Sequence, residues 1–145
     1  MTFKIATANF ILTSIVVIFT FVFTSELVFA YQEKPAPWRV SARKAKIPNP
    51  IPVDEASVSQ GKEIYQRECQ ECHGVSGKGD GPEAAKLDKM VKDFDDEDMW
   101  VQTDGAIYWK IRTGRRPMPG FKKLLSKEEI WHVINYVRHD FEPKK

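Results

Sequence analysis

The sequence predicts a small all-α domain, and two observations support this fold class. Two segments begin with a capping-box pattern, in which a serine, Ser57 or Ser126, is followed three residues later by Gln or Glu. Apolar residues then recur at helical spacing, and no segment shows a clear strand pattern. Behind an apolar N-terminal stretch of about 30 residues, the remaining chain of about 115 residues suffices for one domain.

Residues 1–30 are expected to be a secretory signal peptide. Lys4 precedes an uncharged run from Ile5 to Ser25, and Val28-Phe29-Ala30 supplies small or compact residues at the place of signal-peptidase cleavage. The uncharged run is also long enough to span a bilayer, so a retained membrane anchor is the alternative. In both cases we expect export, with the periplasm as the compartment and membrane contact only if this segment is uncleaved.

Residues 31–56 form a proline-rich, basic segment. Five prolines between Pro35 and Pro52 are expected to exclude helix and to favour extended chain. The segment is interpreted either as a linker or as a strap that lies over the domain, and the linker is preferred. In the strap interpretation, Trp38 is the expected packing anchor.

The domain proper is expected over residues 57–141, followed by a tail at 142–145. Its first helix is predicted to begin with Ser57 as N-cap and Gln60 completing the capping box. Gly61 lies on the apolar face of this helix, with Ile64 and Tyr65. Because an interior glycine costs about 1 kcal/mol relative to alanine, Gly61 suggests the close approach of another helix.

Three further helices are predicted in the C-terminal half. Two short ones are expected at about 96–102 and 104–112, the second ended by Gly114. The last begins after Ser126, with Glu129 completing its capping box and Leu125 forming a hydrophobic staple with Ile130. The residues of its predicted buried face are Ile130, Trp131, Ile134 and Val137.

The two cysteines of the chain, Cys69 and Cys72, are followed at once by His73. This C-x-x-C-H pattern is typical of c-type haem attachment, in which the thiols bond the porphyrin and the histidine ligates the iron. A thioredoxin-like pair would need a βαβ setting, which the sequence lacks. A zinc site would need His132 and His139, whose spacing is too wide, and a disulfide would close too short a loop to constrain the chain.

Met118 is the preferred second axial ligand of such a haem. Pro117 and Pro119 flank it and hold the chain extended, which suits a loop lying over the open haem face. Met99 lies in a helical pattern, where methionine usually fills the core. The remaining candidates are Met90, His132 and His139, and an open site is the other alternative.

Several motifs together resemble class I monohaem c-type cytochromes. The runs that carry the resemblance are Gly61-Lys62, Tyr65, Cys69 to Gly74, Gly77 to Pro82, Pro117-Met118-Pro119 and Ser126 to Arg138. The resemblance implies a small cytochrome c fold around one covalently bound haem c, with N- and C-terminal helices that cross near Gly61 and Trp131. It also implies that the carbonyl of Pro82 accepts a hydrogen bond from the imidazole of His73.

The resemblance implies an electron carrier rather than an enzyme, acting alone or as the carrier subunit of a larger oxidoreductase. No catalytic motif appears beside the haem pattern. The alternative is a haem-based sensor or ligand-binding module with a displaceable distal ligand; a haem enzyme such as a peroxidase would need an open distal position.

The charge pattern bears on the partners of the chain. A net charge of +2 argues against a nucleic-acid partner. Basic residues nevertheless gather around the methionine loop: Lys110, Arg112, Arg115, Arg116, Lys122, Lys123 and Lys127. An acidic run lies at residues 93–98. The basic residues are interpreted either as ordinary solvated surface or as a rim that steers acidic redox partner proteins toward the haem. Arg112, Arg116 and Trp109 are candidate donors to a haem propionate.

Overall fold

Helices and connecting loops make up the residues that the structure, a computed structural model, describes, which are 37–143. The helices are α1 Ala42–Ala45, α2 Glu55–Glu68, α3 Gln70–His73, α4 Glu97–Trp100, α5 Asp104–Thr113 and α6 Lys127–Phe141, with a 3₁₀ helix at Ala84–Lys86. Within this range there is no strand, only an isolated bridge between Arg115 and Met118. The all-α prediction is confirmed.

The chain divides into two units, Met1–Trp38 and Arg39–Lys145. Nearly all of the first unit lies outside the described residues, including the expected signal peptide at 1–30 and the start of the proline-rich segment. The final two residues of the expected tail also lie outside. Between 37 and 143, no helix is long and apolar enough to cross a membrane.

Helices α2 and α6 pack against each other and position the rest of the second unit. A Cβ atom added at Gly61 would lie 2.0 Å from the carbonyl oxygen of His132 and 2.8 Å from the Cβ of Tyr136. Only glycine permits this approach, which confirms the contact expected at Gly61. The closest residues of α6 are His132 and Tyr136 rather than Trp131, whose ring instead stacks on that of Tyr108 at 4.2 Å.

The N-terminus of α2 differs from the prediction. The helix begins one turn earlier than expected, because the carboxylate of Asp54 accepts a hydrogen bond from the backbone N–H of Ser57 at 2.7 Å and caps the helix. Ser57 is not a cap. Its side chain is buried, and its Oγ lies 2.7 Å from the Nδ2 of Asn135 and 2.8 Å from the Nδ1 of His132. The capping box predicted for Ser57 and Gln60 is therefore wrong.

The last helix follows its predicted signals closely. Both hydrogen bonds of the capping box between Ser126 and Glu129 are present. Leu125 and Ile130 are both buried, as a hydrophobic staple requires. Each large apolar side chain that this face buries contributes about 1.5–3 kcal/mol. The side chains of α6 that are fully buried include Ile130, Val133 and Ile134.

The short helices agree in part with the sequence. The predicted pair appears as α4 and α5, and α5 ends at Gly114, whose φ of 66° is readily adopted by glycine. Helix α3 and the 3₁₀ helix were not predicted. Helix α1 contradicts the expectation that proline excludes helix from the basic segment, because no proline lies between Pro37 and Pro48 and one helical turn fits there.

Residues 39–53, which we call the strap, lie on the domain. Asn135 donates from Nδ2 to the carbonyls of Ile51, at 3.3 Å, and Pro52, at 3.0 Å. The Nδ2 of Asn49 in turn donates to the Oδ1 of Asn135 at 2.7 Å. Helix α1 rests on α5, and the hydroxyl of Thr103 donates to the carbonyl of Ala45. These contacts are those of a strap rather than of a free linker.

Candidate haem-binding site

One short helical turn carries both cysteines and the histidine. Cys69 precedes α3 as its N-cap, and the backbone N–H groups of Cys72 and His73 both donate to the carbonyl of Cys69, at 3.1 and 2.9 Å. Both cysteines are half-buried free thiols. The end of α2 anchors this turn, since the N–H of Cys69 donates to the carbonyl of Tyr65 at 2.9 Å. The local fold therefore presents two thiols and an imidazole from one rigid segment.

The thiols lack the character of a redox-active pair. Burial, with a smaller contribution from the carboxylate of Glu68, raises the pKa of Cys69 to about 12. Burial and the carboxylates of Glu83 and Glu71 also raise the pKa of Cys72. A thioredoxin-like dithiol needs a thiol with a lowered pKa. This pair is instead protonated at neutral pH, which disfavours the thioredoxin alternative.

The zinc alternative finds no support in the described residues. The Nδ1 of His132 lies 2.8 Å from the Oγ of Ser57, and the Nδ1 of His139 lies 2.7 Å from a carboxylate oxygen of Asp140. From residue 37 to 143, no group of three or more His, Cys, Asp or Glu side chains is arranged to hold a metal ion. His132 and His139 are thus engaged away from the cysteines.

The imidazole of His73 is mostly buried and held against an aromatic ring. It stacks on Phe94 with ring centroids 4.9 Å apart and 26° between the planes. Burial lowers the pKa of His73, and the backbone carbonyl of Lys92, an acceptor for the ring N–H, partly offsets this. The imidazole is therefore neutral at pH 7, which is the form that ligates iron.

The backbone group that raises the pKa of this imidazole belongs to Lys92, whereas the resemblance implied a hydrogen bond to the carbonyl of Pro82. The Nδ1 of His73 is buried and has no hydrogen-bond partner of good geometry, although Lys92 is close enough to affect its pKa. Lys92 comes close to His73 because of Phe94, whose N–H donates to the carbonyl of Gly77 at 2.9 Å. That bond and the ring stacking bring the residues before Phe94 against His73, whereas Pro82 is exposed.

The glycine-rich loop after His73 folds back on the cysteine turn. The hydroxyl of Tyr65 donates to the carbonyl of Gly74 at 2.8 Å. Gly81 packs so closely that an added Cβ would lie 2.4 Å from the carbonyl oxygen of Glu71. The N–H of Gly79 donates to the carbonyl of His73 at 2.9 Å. This loop therefore supports the turn and has no strand before it, as a phosphate-binding loop would need.

Met118 lies in the loop between α5 and α6, half-buried against the core. Its carbonyl accepts a hydrogen bond from the N–H of Arg115 at 3.0 Å, and the peptide bond between Arg116 and Pro117 is cis. The N–H of Phe121 donates to the carbonyl of Ile111 at 3.0 Å and fixes the end of the loop. The loop is therefore held at both ends.

The other methionines of the described chain are placed differently. Met99 is 6% exposed and belongs to the hydrophobic core, as the sequence predicts. Met90 is 98% exposed and packs against nothing. Met118 thus combines partial burial with a position in a constrained loop.

These donors suit a covalently bound haem. Two protonated thiols, a neutral imidazole and a thioether are the groups that such a haem uses. A cavity of about 350 Å³ opens beside the methionine loop, lined by Asp88, Lys89, Arg116 and Pro117. The buried Nε1 atoms of Trp100 and Trp109 have no hydrogen-bond acceptor, and haem carboxylates are acceptors of the kind they need.

Comparison with known families decides the assignment. The family model described as "Cytochrome C oxidase, cbb3-type, subunit III" matches residues 56–137, more than half of the chain. The chain belongs to this family of c-type cytochromes. The family binds covalently attached haem c, so the cofactor prediction is confirmed, as is the resemblance to monohaem c-type cytochromes. Electron transfer is the function that these matches support.

Curated relatives of this cytochrome include cytochromes c6. That of Rippkaea orientalis is 31% identical over 86 residues, which cover 59% of this chain and 73% of the relative. That of Gracilaria tenuistipitata is 29% identical over 87 residues, covering 60% and 76%. The cytochrome c subunit of the cytochrome bc1 complex of Corynebacterium diphtheriae is 25% identical over 87 residues, and the chain spans only 28% of its length.

A solved structure shares the fold. A chain of the reducing HAO-like protein complex of Kuenenia stuttgartiensis superposes with a TM-score of 0.55 and 31% identity. The match covers 79% of this cytochrome and 54% of that chain. The cytochrome therefore spans about half of this relative, and the match agrees with the small all-α cytochrome fold.

Sequence reasoning missed two contributors to the site. Phe94, the ring beside His73, is the single apolar residue within the acidic run at 93–98, a signal that was available. Lys92 acts through its backbone, which leaves no trace in side-chain patterns.

Proposed function

We propose that this cytochrome is an exported one-electron carrier whose haem is attached through Cys69 and Cys72 and whose iron is ligated by His73 and Met118. The observation that carries the proposal is the single turn that presents both protonated thiols with a buried, neutral imidazole. Haem c, when bound, supplies the one-electron couple of its iron.

The protein residues have distinct roles in this proposal. Each cysteine contributes one thioether bond, and α3 fixes the orientation of His73. Phe94 and the backbone of Lys92 restrain the imidazole, so we propose Lys92 in the place that the resemblance gave to Pro82. The thioether of Met118 is a neutral, soft donor that favours ferrous iron. Because His73 and Met118 would both hold the iron, it would not be open to a substrate.

Export is the second part of the proposal. It rests on the sequence of residues 1–30, because these residues lie outside those that the structure describes. We propose cleavage after Ala30 and release to the periplasm. Mass spectrometry of the mature protein should then find Tyr31 at the N-terminus. An intact N-terminus in the membrane fraction would instead support an anchored protein that faces the periplasm.

Acidic redox partner proteins are the third part. The basic rim comprises Lys110, Arg112, Arg115, Arg116, Lys122, Lys123 and Lys127, which flank Met118 in the sequence, and Arg116 lines the cavity beside the methionine loop. The acidic run is partly neutralised by lysines, since Lys92 pairs with Asp96 at 2.6 Å and Lys78 with Asp95 at 3.6 Å. Two relatives are named as parts of larger redox complexes, which supports such a complex as the partner.

A spectrum of the purified ferrous protein with and without carbon monoxide tests the proposed function. Haem should remain on the polypeptide after denaturation and acid-acetone extraction, and carbon monoxide should leave the ferrous spectrum unchanged. Haem that leaves with the solvent would contradict attachment through the cysteines. Ready binding of carbon monoxide would contradict ligation on both faces and favour the haem-based sensor.

A further inference from the structure

Trp109 presents a buried hydrogen-bond donor that the protein does not satisfy. Its Nε1 atom, on α5, is inaccessible to solvent and has no acceptor. A buried N–H group without an acceptor costs about 1–3 kcal/mol, and native proteins rarely tolerate one without a reason. The simplest reason is an acceptor that arrives with the cofactor.

The strap places a cation directly beside this donor. The Nζ of Lys44 lies 3.9 Å from the centroid of the Trp109 ring. Lys44 is half-buried and forms no ion pair with any acidic side chain in the part of the chain that the structure describes. An ammonium thus lies over the face of the same indole whose N–H lacks an acceptor, and a carboxylate is a group that both can bind.

The position of Lys44 is fixed by its neighbours in the strap. Thr103 donates its hydroxyl to the carbonyl of Ala45, the next residue. Gly105 has no side chain, and a Cβ added there would lie 2.7 Å from the carbonyl oxygens of both Lys44 and Ala45. Helix α1 can therefore sit close to α5, so Lys44 reaches Trp109 from a constrained backbone.

We propose that Lys44 and Trp109 together bind a propionate carboxylate of the haem. This inference rests on the proposed function in that it requires the haem attached at Cys69 and Cys72. Hydrogen bonds between a charged donor and a carboxylate are the stronger kind, and the partly buried setting limits screening by salt. The strap, which lies outside the family match at 56–137, becomes part of the haem site.

The Nε1 of Trp100 also has no acceptor, but among the described residues no cation without an ion pair lies beside this ring. The cation over its ring is the guanidinium of Arg138, 5.7 Å from the centroid. That guanidinium is already paired with Asp104 at 3.0 Å and Glu142 at 3.7 Å. Trp100 offers a donor without an available charge, so the charged carboxylate site is assigned to Trp109.

The expected consequence is control of the reduction potential by the strap. An uncompensated carboxylate near the iron stabilises the ferric state, because its negative charge offsets the extra positive charge of Fe(III). Lys44 compensates that charge and so favours the ferrous state. Removing Lys44 should lower the potential, and the potential should then depend on pH as the released carboxylate titrates with the redox state.

The test measures reduction potential and the propionate bending modes in the resonance Raman spectrum of the haem-loaded protein at fixed ionic strength. Lys44→Gln should lower the potential and shift those modes, whereas Lys44→Arg should largely restore both. Lys46→Gln is the matched control, because it removes the same charge from an exposed residue at the end of α1. It should leave the modes unchanged and move the potential less.

Trp109→Phe separates the hydrogen bond from ring packing. Phenylalanine keeps an aromatic face for Lys44 but removes the N–H, so the propionate modes should shift. In the Lys44→Gln/Trp109→Phe double variant, the two effects should fail to add, since both residues act on one carboxylate.

Equal shifts in Lys44→Gln and Lys46→Gln, with unchanged propionate modes, would overturn the inference and leave only a general surface charge. That outcome is distinct from failure of the proposed function. If the proposed function fails, the haem leaves the denatured polypeptide or the ferrous protein binds carbon monoxide. If only this inference fails, the haem stays attached and carbon monoxide still does not bind.

Discussion

At the scale of single residues, the site depends on which side chains are left available by the fold. Met99 is buried in the core and Met90 is exposed to solvent. His132 contacts Ser57, and His139 contacts Asp140. Met118 alone among these candidates is half-buried in a loop fixed at both ends. Elimination and position therefore favour the same distal ligand.

The exchange of Met118 for alanine tests this ligand. In Met118→Ala we expect a fall in reduction potential, loss of the weak near-infrared sulfur-to-iron band and new binding of carbon monoxide, because the soft donor to ferrous iron is gone. Absorption spectra and potentiometry measure all three.

Met99→Ala is the control for Met118→Ala. It should lower the free energy of unfolding by about 2–5 kcal/mol, since it opens a cavity in the core, and should leave the ligand spectrum unchanged. If Met99→Ala loses the sulfur band and Met118→Ala keeps it, the distal ligand is Met99.

Residue-level patterns also mark the limit of what the sequence reveals about the site. C-x-x-C-H is a local pattern, so Cys69, Cys72 and His73 can be identified without a structure. The contact of the Lys92 backbone with His73 depends instead on how the loop closes through Gly77 and Phe94. Such a contact has no side-chain signature, so the sequence could not indicate Lys92, and the role implied for Pro82 rests on the resemblance alone.

At the scale of helices, local capping rules succeed where no distant residue competes. Ser126 and Glu129 form the predicted capping box with each other. Ser57 fits the same rule, but α6 places Asn135 and His132 against its hydroxyl. Asp54 takes over as cap, and tertiary contact overrides the local signal. The sequence likewise offered a linker and a strap and preferred the linker, because the contacts of the strap carbonyls with Asn135 join segments that are far apart in the chain.

Removal of the Asn135 amide should release the strap. Asn135 is 1% exposed and bonds Asn49, the carbonyls of Ile51 and Pro52, and Ser57. Asn135→Ala removes these four hydrogen bonds, which are buried or part-buried, and a buried polar group left without a partner costs about 1–3 kcal/mol. We expect a lower unfolding midpoint and faster tryptic cleavage at the basic residues of the strap.

An exposed residue on α2 provides the control for Asn135→Ala. Gln60→Ala removes a side-chain amide of similar chemistry from the surface and should change neither the unfolding midpoint nor the rate of cleavage. A strap that stays as resistant to trypsin in Asn135→Ala as in the unchanged protein would show that the Lys44 and Thr103 contacts suffice to hold it.

At the scale of the whole molecule, a net charge of +2 conceals an uneven distribution. The acidic run carries its own lysine partners, Lys92 and Lys78. Many of the cations of the basic rim are exposed, among them Arg116, Lys122 and Lys123. An asymmetric field of this kind acts mainly on the rate at which charged partners arrive.

Reversal of charge on the basic rim should therefore change reaction rates with charged reagents and leave the haem itself unaltered. For Lys122→Glu/Lys123→Glu we expect slower oxidation of the ferrous protein by the ferricyanide anion and faster oxidation by a cationic cobalt complex. Both differences should shrink as ionic strength rises, because exposed charges are screened over about 8–10 Å in physiological salt. Stopped-flow kinetics at several salt concentrations measures the effect.

Lys62→Glu is the control for this double reversal. Lys62 is exposed on α2 and lies outside the basic rim. If the rim directs anionic partners to the haem, Lys62→Glu should alter the ferricyanide rate by much less than half the effect of the double reversal, since Lys62 is not part of the rim. Equal effects per charge at both surfaces would mean that only net charge matters. The basic rim would then not be the place at which an acidic partner docks.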